Sequence, residues 1–115
     1  MQLAKDLMAA AATPLVLALL RRGDSYGYEI IRQVRDLSDG ELEWKEGMLY
    51  PLLHRLDERG MIEAYERVSD SGRPRRYYRL LPEGERQLDE QQAGFAAVTS
   101  ILGALRAPNV GSSHA

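Results

Sequence analysis

The segment "GMLYPLLHRLDERG", residues 47 to 60, places Leu49, Leu52, Leu53 and Leu56 at i, i+3, i+4 and i+7 and stops at a glycine. That spacing puts four leucines on one side of a single helix. The pattern then changes at once. "MIEAYERV" and "RRYYRLL" are short, rich in β-branched and aromatic residues, and flank the turn-forming "SDSGRP", so the chain passes from a half-apolar helix straight into a two-stranded hairpin. Pro51 is expected in the first helical turn, where its missing N–H costs nothing, which sets the helix start near Glu46 or Gly47.

The flanking segments extend the pattern. "DSYGYEIIRQVRDLSDG" has Asp24 or Ser25 as a helix cap and repeats Tyr26, Ile30, Val34 and Leu37 at helical spacing. Upstream, "TPLVLALLRRG" is expected to start a fresh helix with Thr13 as N-cap, Pro14 at the first position and Gly23 as C-cap. With the alanine-rich "MQLAKDLMAAAA" before it, two short helices or one kinked helix both fit. Downstream, Pro82 opens a last helix in which Leu88, Gln91, Phe95, Val98, Leu102 and Leu105 form a heptad-like seam with one polar position. "APNVGSSHA" is expected to be disordered.

The expected fold class is mainly α with a small β-hairpin: a winged helix-turn-helix, dimeric through its N- and C-terminal helices. Residues 1–22 form an N-terminal helical segment at the dimer interface and residues 23–81 the winged core, with a recognition helix at about 47–59 and a wing at about 61–81. Residues 82–106 form the C-terminal dimerisation helix, and residues 107–115 the tail.

Composition narrows the function classes. A chain of 115 residues is one domain of ordinary size, and 44% hydrophobic with 28% charged residues are globular values. There is no cysteine, which excludes disulfides, thiol chemistry and cysteine metal sites and fits a reducing cytoplasm. No apolar run is long enough to cross a bilayer. Asp6, and the arginines that follow the apolar run, argue against an export signal. No cofactor or metal is expected. A net charge of -2 and a pI near 5.7 give no whole-chain basic signature, so nucleic-acid binding must rest on local clusters.

One motif suggests an enzyme. "GDSYG", residues 23 to 27, spells the G-x-S-x-G of a hydrolase nucleophile elbow. Such an elbow needs a strand, a strained turn and a helix around it, and an acid and a histidine later in the chain. Only His54, inside the leucine helix, and His114, one residue from the end, follow Ser25. Neither is placed as a base, and Ser25 is better explained as a cap oxygen.

The elements point instead to DNA. A helix presented on a three-helix core fits the major groove, and a basic hairpin beside it reaches phosphates or the adjacent minor groove. With the leucines turned inward, Tyr50, His54 and Arg55 face solvent, Lys45 precedes them, and Met48 can touch a thymine methyl. Asp57 and Glu58 are expected to point away. From Arg67 to Arg79 there are five arginines against one aspartate, with Arg73, Arg75 and Arg76 at or beside the tip, a cluster whose binding to phosphates is salt-dependent. Strand alternation puts Tyr78 in the core and leaves Tyr77 more exposed. The terminal seam, Leu88, Phe95, Val98, Leu102 and Leu105, has little of its own small domain to cover, so a second subunit is the expected partner. A two-fold dimer brings two recognition helices onto half-sites about one DNA turn apart.

"DSYGYEIIRQV", "GMLYPLLHRLDERGMIEA" and "GRPRRYYRLLPEGERQL" resemble, in order and spacing, the motif blocks of the PadR-type bacterial transcriptional regulators, over about residues 13 to 105. The single C-terminal helix is similar to the short branch of that family. The resemblance implies a homodimeric winged helix-turn-helix repressor on an inverted-repeat operator, often released by a small molecule. It places the family's DNA-contacting tyrosine before proline on Tyr50, next to Pro51, and the basic wing on Arg73, Arg75 and Arg76. Two departures stand out. Many relatives begin the recognition helix with Ser or Thr where this chain has "KEG", and Glu46 is repelled by phosphate unless it reads a cytosine amino group. Relatives usually show Thr before the Pro of "LLPEG", and Leu81 cannot cap the last helix.

Some relatives stack flat aromatic compounds between subunits on aromatic residues of the terminal helix. Here that helix offers Phe95 and no Trp, while Trp44 is expected to be a packing residue. A smaller effector cavity is expected from Leu7, Met8, Val16, Phe95 and Thr99 at the dimer interface. Two alternatives stand beside the DNA-binding repressor. A winged-helix protein-interaction module would show no steep salt dependence on duplex DNA, and a Ser25 hydrolase would lose activity on Ser25→Ala.

Overall fold

The computed structural model describes residues 4–106. In chain order they form α1 (Lys5–Arg22), β1 (Ser25–Tyr26), α2 (Gly27–Leu37), α3 (Glu46–Glu58), β2 (Ile62–Val68), β3 (Pro74–Leu80) and α4 (Pro82–Arg106). The expectations for the tail and for His114 lie outside the described residues.

The leucine stripe organises the core. Leu49, Leu52, Leu53 and Leu56 of α3 are buried together with Val16, Leu17 and Leu20 of α1, Ile30 and Val34 of α2, and Ile62 and Tyr78 of the sheet. Burying one such side chain stabilises by roughly 1.5–3 kcal/mol, so this cluster fixes the angle at which α3 is presented. Trp44 is buried in it as well. Leu37 is exposed, because it is the last residue of α2 and lies past the point where that helix meets the core.

Several local expectations are corrected. α1 runs unbroken through Pro14, with Ala4 rather than Thr13 as its N-cap. Pro14 itself is buried, and Ala12, Val16, Leu17, Leu19 and Leu20 line the buried side of the same helix. One helix buries this continuous face, and that packing outweighs the hydrogen bond lost at Pro14. Gly23 does cap the C-terminus, its N–H donating to the Leu20 carbonyl. Pro51 lies not in the first turn but in the interior of α3, where it cannot donate to the Gly47 carbonyl. Gly47 and Pro51 are both exposed, so water can satisfy that carbonyl.

The hairpin gains a third strand. The sheet order is β1-β3-β2, all antiparallel; Ser25 pairs with Tyr78 and Tyr26 with Tyr77. Ser25 is therefore a strand residue and not the cap of α2, whose N-cap is Tyr26. Its hydroxyl donates to Glu29 Oε1 at 2.6 Å. At the turn, Ser69 N–H donates to the Arg73 carbonyl at 2.7 Å, and Gly72 takes a φ of +84° that favours glycine.

Tyr77 is only 8% exposed, against the expectation from strand alternation. It does lie on the face away from the leucines, but Tyr26, Tyr65 and Arg67 cover it there. α4 starts tight against the body: a Cβ on Gly84 would run into the Met61 carbonyl and Leu80. Arg21 on α1 holds Asp89 at 3.1 Å. Leu88 is fully buried, so it is a core residue of the single chain and not part of the surface the seam offers. Beyond it Phe95, Val98, Ile101, Leu102 and Leu105 are 39–76% exposed.

Candidate nucleic-acid interface

At about 100° per residue, the side of α3 opposite its leucines carries Gly47, Pro51, His54 and Glu58, with Tyr50 and Arg55 on its two flanks. All six are exposed. Glu58 does not turn away as expected: His54 Nε2 lies 3.4 Å from its Oε2, which puts an acid on the same face. Lys45, the N-cap residue of α3, and Arg55 have no carboxylate partner among the described residues.

Tyr50 is held by the helix in front of it. The ring lies across Gly27 at the start of α2, where a Cβ would come within 3.0 Å of the hydroxyl and two ring carbons. Gly27 is what lets the two helices approach at this point. Tyr50 nevertheless stays 41% exposed. Burial raises its phenol above the ordinary value, with Glu46 and then Tyr78 adding to the shift, so the hydroxyl remains a neutral donor at physiological pH. Met48 is 37% exposed and lines a cleft of about 260 Å³ with Met8, Ala12 and Trp44.

The wing carries a second group of arginines. Arg73 and Arg76 are exposed and make no ion pair among the described residues, whereas Arg75 is half-buried, with its guanidinium 4.4 Å above the Tyr26 ring. The outer face of the sheet alternates arginine and tyrosine. Arg67 lies 4.6 Å over Tyr77, Arg79 lies 4.2 Å over Tyr65, and Tyr26 meets Tyr77 edge-on at 5.2 Å. Tyr65 is fixed by donating its hydroxyl proton to Asp24 Oδ2 at 2.6 Å. Sequence reasoning missed Arg67, Tyr26 and Tyr77 as parts of one surface. The period-2 run Arg75, Tyr77, Arg79 on β3 was the available signal.

Within the single chain, the residues expected to line an effector cavity at the dimer interface lie in different places. Val16 is fully buried in the core. Met8 faces the Trp44 cleft, while Phe95 lines an open hollow of about 460 Å³ with Ala10, Thr13, Gln91, Gly94 and Val98. Leu7 and Thr99 are exposed on α1 and α4. Among the described residues no cluster of three or more histidines or carboxylates could hold a metal ion, and no helix is long and apolar enough to cross a membrane. Ser25 lacks the setting of a nucleophile, since it is 2% exposed and engaged with Glu29.

The chain is similar to known proteins in sequence and in fold. The profile of the transcriptional regulator PadR-like family matches residues 16–90. An uncharacterised protein of Lysinibacillus sphaericus is 34% identical over 98 residues, covering 84% of this chain and 89% of the relative. A transcriptional regulator of Mycobacterium tuberculosis is 48% identical over 58 residues, 50% of this chain and 53% of that protein. The crystal structure of a PadR-like transcriptional regulator from Bacillus cereus superposes with a TM-score of 0.80 at 25% identity, covering 90% of this chain and all of that one. The fold is accordingly a winged helix, and the function class that of a regulator and not an enzyme. The chain belongs to the PadR-like family of transcriptional regulators.

Proposed function

We propose that the chain binds double-stranded DNA in a sequence-specific manner as a homodimeric cytoplasmic repressor, with α3 in the major groove of each half of an inverted-repeat operator. The observation that carries the reading is the juxtaposition of the exposed α3 face with a wing whose Arg73 and Arg76 have no ion-pair partner among the described residues. Lys45, Tyr50, His54 and Arg55 contact phosphates or base edges, Pro51 and Met48 give apolar contact, and Arg73, Arg75 and Arg76 hold the adjacent backbone. Residues 23–81 act as the DNA-binding unit. The half-exposed and exposed Phe95, Val98, Leu102 and Leu105 meet the partner subunit, since so long an apolar face is costly to leave in water. A small apolar or aromatic effector at that interface releases the DNA.

Titrating the purified chain onto a duplex at increasing KCl tests this reading. Affinity is expected to fall steeply with salt and to fall further on Arg73→Ala, Arg75→Ala and Arg76→Ala together. A flat salt response, or none from the triple change, contradicts it and favours a protein-interaction module.

A further inference from the structure

We propose that Arg67 and Arg75 form a two-guanidinium cradle for a single backbone phosphate of the bound duplex, held in shape by the rings of Tyr77 and Tyr26. This rests on the DNA-binding reading above and deepens it, adding Arg67 to the backbone contact of Arg75 on the outer face of the sheet.

Arg67 and Arg75 stand directly opposite each other in the β2–β3 register. Two like charges in that position repel and are unfavourable unless something compensates. Among the described residues neither arginine has a carboxylate within ion-pair distance. The neighbouring Arg79 differs, since its Nε lies 3.4 Å from Glu63 Oε1. Asp24, beside this face, accepts the Tyr65 hydroxyl proton. What holds the pair is mainly aromatic: Arg75 stacks on Tyr26 and Arg67 on Tyr77, and the two rings brace each other, while the Tyr65 hydroxyl and, more weakly, Asp70 also act on Arg67. Stacking orients a planar guanidinium and leaves its N–H edge free for an oxygen acceptor. The Nε of Arg75 is buried and has no hydrogen-bond partner. Paired guanidinium forks match the geometry of a phosphate.

Position selects the occupant. The surface is continuous with the α3 face: Tyr50 lies over Gly27, Tyr26 is the N-cap of α2, and Arg75 lies over Tyr26. The positive end of the α2 dipole therefore emerges beside the cradle. A duplex seated on α3 brings the backbone bordering the groove across this edge, which favours a DNA phosphodiester over a free anion. Tyr26 and Tyr77 are positioning residues, acting through the arginines they carry.

The test uses the full chain and a duplex recovered from a random-sequence pool, with affinity measured across a KCl series. Changing both Arg67→Gln and Arg75→Gln is expected to lower affinity and to reduce the slope of log K against log[KCl] by about 0.9, the value for one phosphate. Tyr26→Leu keeps both charges and is expected to lower affinity by itself, with Tyr26→Phe restoring it, because the ring and not the hydroxyl carries the stack. A neutral methylphosphonate at the contacted linkage is expected to erase the difference between the double variant and the unaltered protein. Thermal melting of each variant shows whether it is folded, and Arg75→Lys, which keeps the charge but lacks the planar fork, is expected to bind at an intermediate level. Unchanged affinity and slope in the double variant, with the unaltered protein binding normally, overturns the cradle alone. Absence of duplex binding by the unaltered protein overturns the DNA-binding reading and the cradle with it.

Discussion

Replacing Gly27 by alanine should separate what holds the fold from what holds the interface. A Cβ at this position would lie within 3.0 Å of the Tyr50 hydroxyl and two of its ring carbons. Inserting a methyl into a packed site costs about 1–3 kcal/mol. The low end applies here, because the obstacle is the free end of a ring that is 41% exposed and can swing into water. Against that cost, alanine in place of glycine favours a helix by up to ~1 kcal/mol, so the net change in stability should lie within about 1 kcal/mol of zero. The displaced ring should still weaken DNA binding by about 1 kcal/mol, a fivefold to tenfold loss. Once Tyr50→Ala has removed the ring, the clash is gone. The double variant should therefore be more stable than the sum of the single changes by about 1 kcal/mol. Urea unfolding of the three variants measures that coupling, and duplex titration measures the affinity. Additivity within about 0.3 kcal/mol, together with unchanged affinity in Gly27→Ala, would show that the Tyr50 ring neither blocks a Cβ at position 27 nor depends on Gly27 for its place at the interface.

Other consequences follow from the same packing. Gly84→Ala should cost about 2–3 kcal/mol, because the Met61 carbonyl in its path is backbone and cannot swing aside; a loss below about 1 kcal/mol in urea unfolding would contradict this. Leu102→Glu, on the exposed part of α4, should leave the helix content unchanged and convert a two-chain particle into a single chain in sedimentation; a single-chain particle from the unaltered protein would remove the dimer. The Glu83 carboxyl is drawn down to about 2 from its usual 4.5, mainly by Arg86 and then by Gln87. Because its folded value is the lower one, its stabilising contribution is complete above about pH 4.5 and lost as the pH falls toward 2. Glu83→Gln should flatten that part of the stability profile in acid, and identical profiles for the two proteins would count against the Arg86 bond.

The parts of the fold that were legible in the sequence rest on repeated signals. Four leucines at helical spacing and a turn-rich segment between two short strands each supply several residues pointing the same way, and they gave α3 and the hairpin. β1 has only Ser25 and Tyr26, too short to show a period, and it exists because β3 offers Tyr78 and Tyr77 as partners. Thr13-Pro14 carries a strong local signal for a helix start, which the continuous buried face of α1 overrides. Tyr77 lies on the face that strand alternation left to solvent. It became buried through the side chains of β1 and β2, contacts that depend on sheet order and not on its own strand. The candidate interface was partly legible for the same reason. Exposed residues of α3 follow from helical phase, but the pairing of Arg67 with Arg75 follows from hairpin register.

In the proposed function the α3 face and the wing read DNA as a two-fold pair. Selection of bound duplexes from a random-sequence pool by the purified protein tests it most directly. An inverted repeat with half-sites about one helical turn apart is expected to be enriched, with binding weakened by added salt and by loss of Arg73, Arg75 and Arg76. Recovery of no sequence above background at low salt would contradict it.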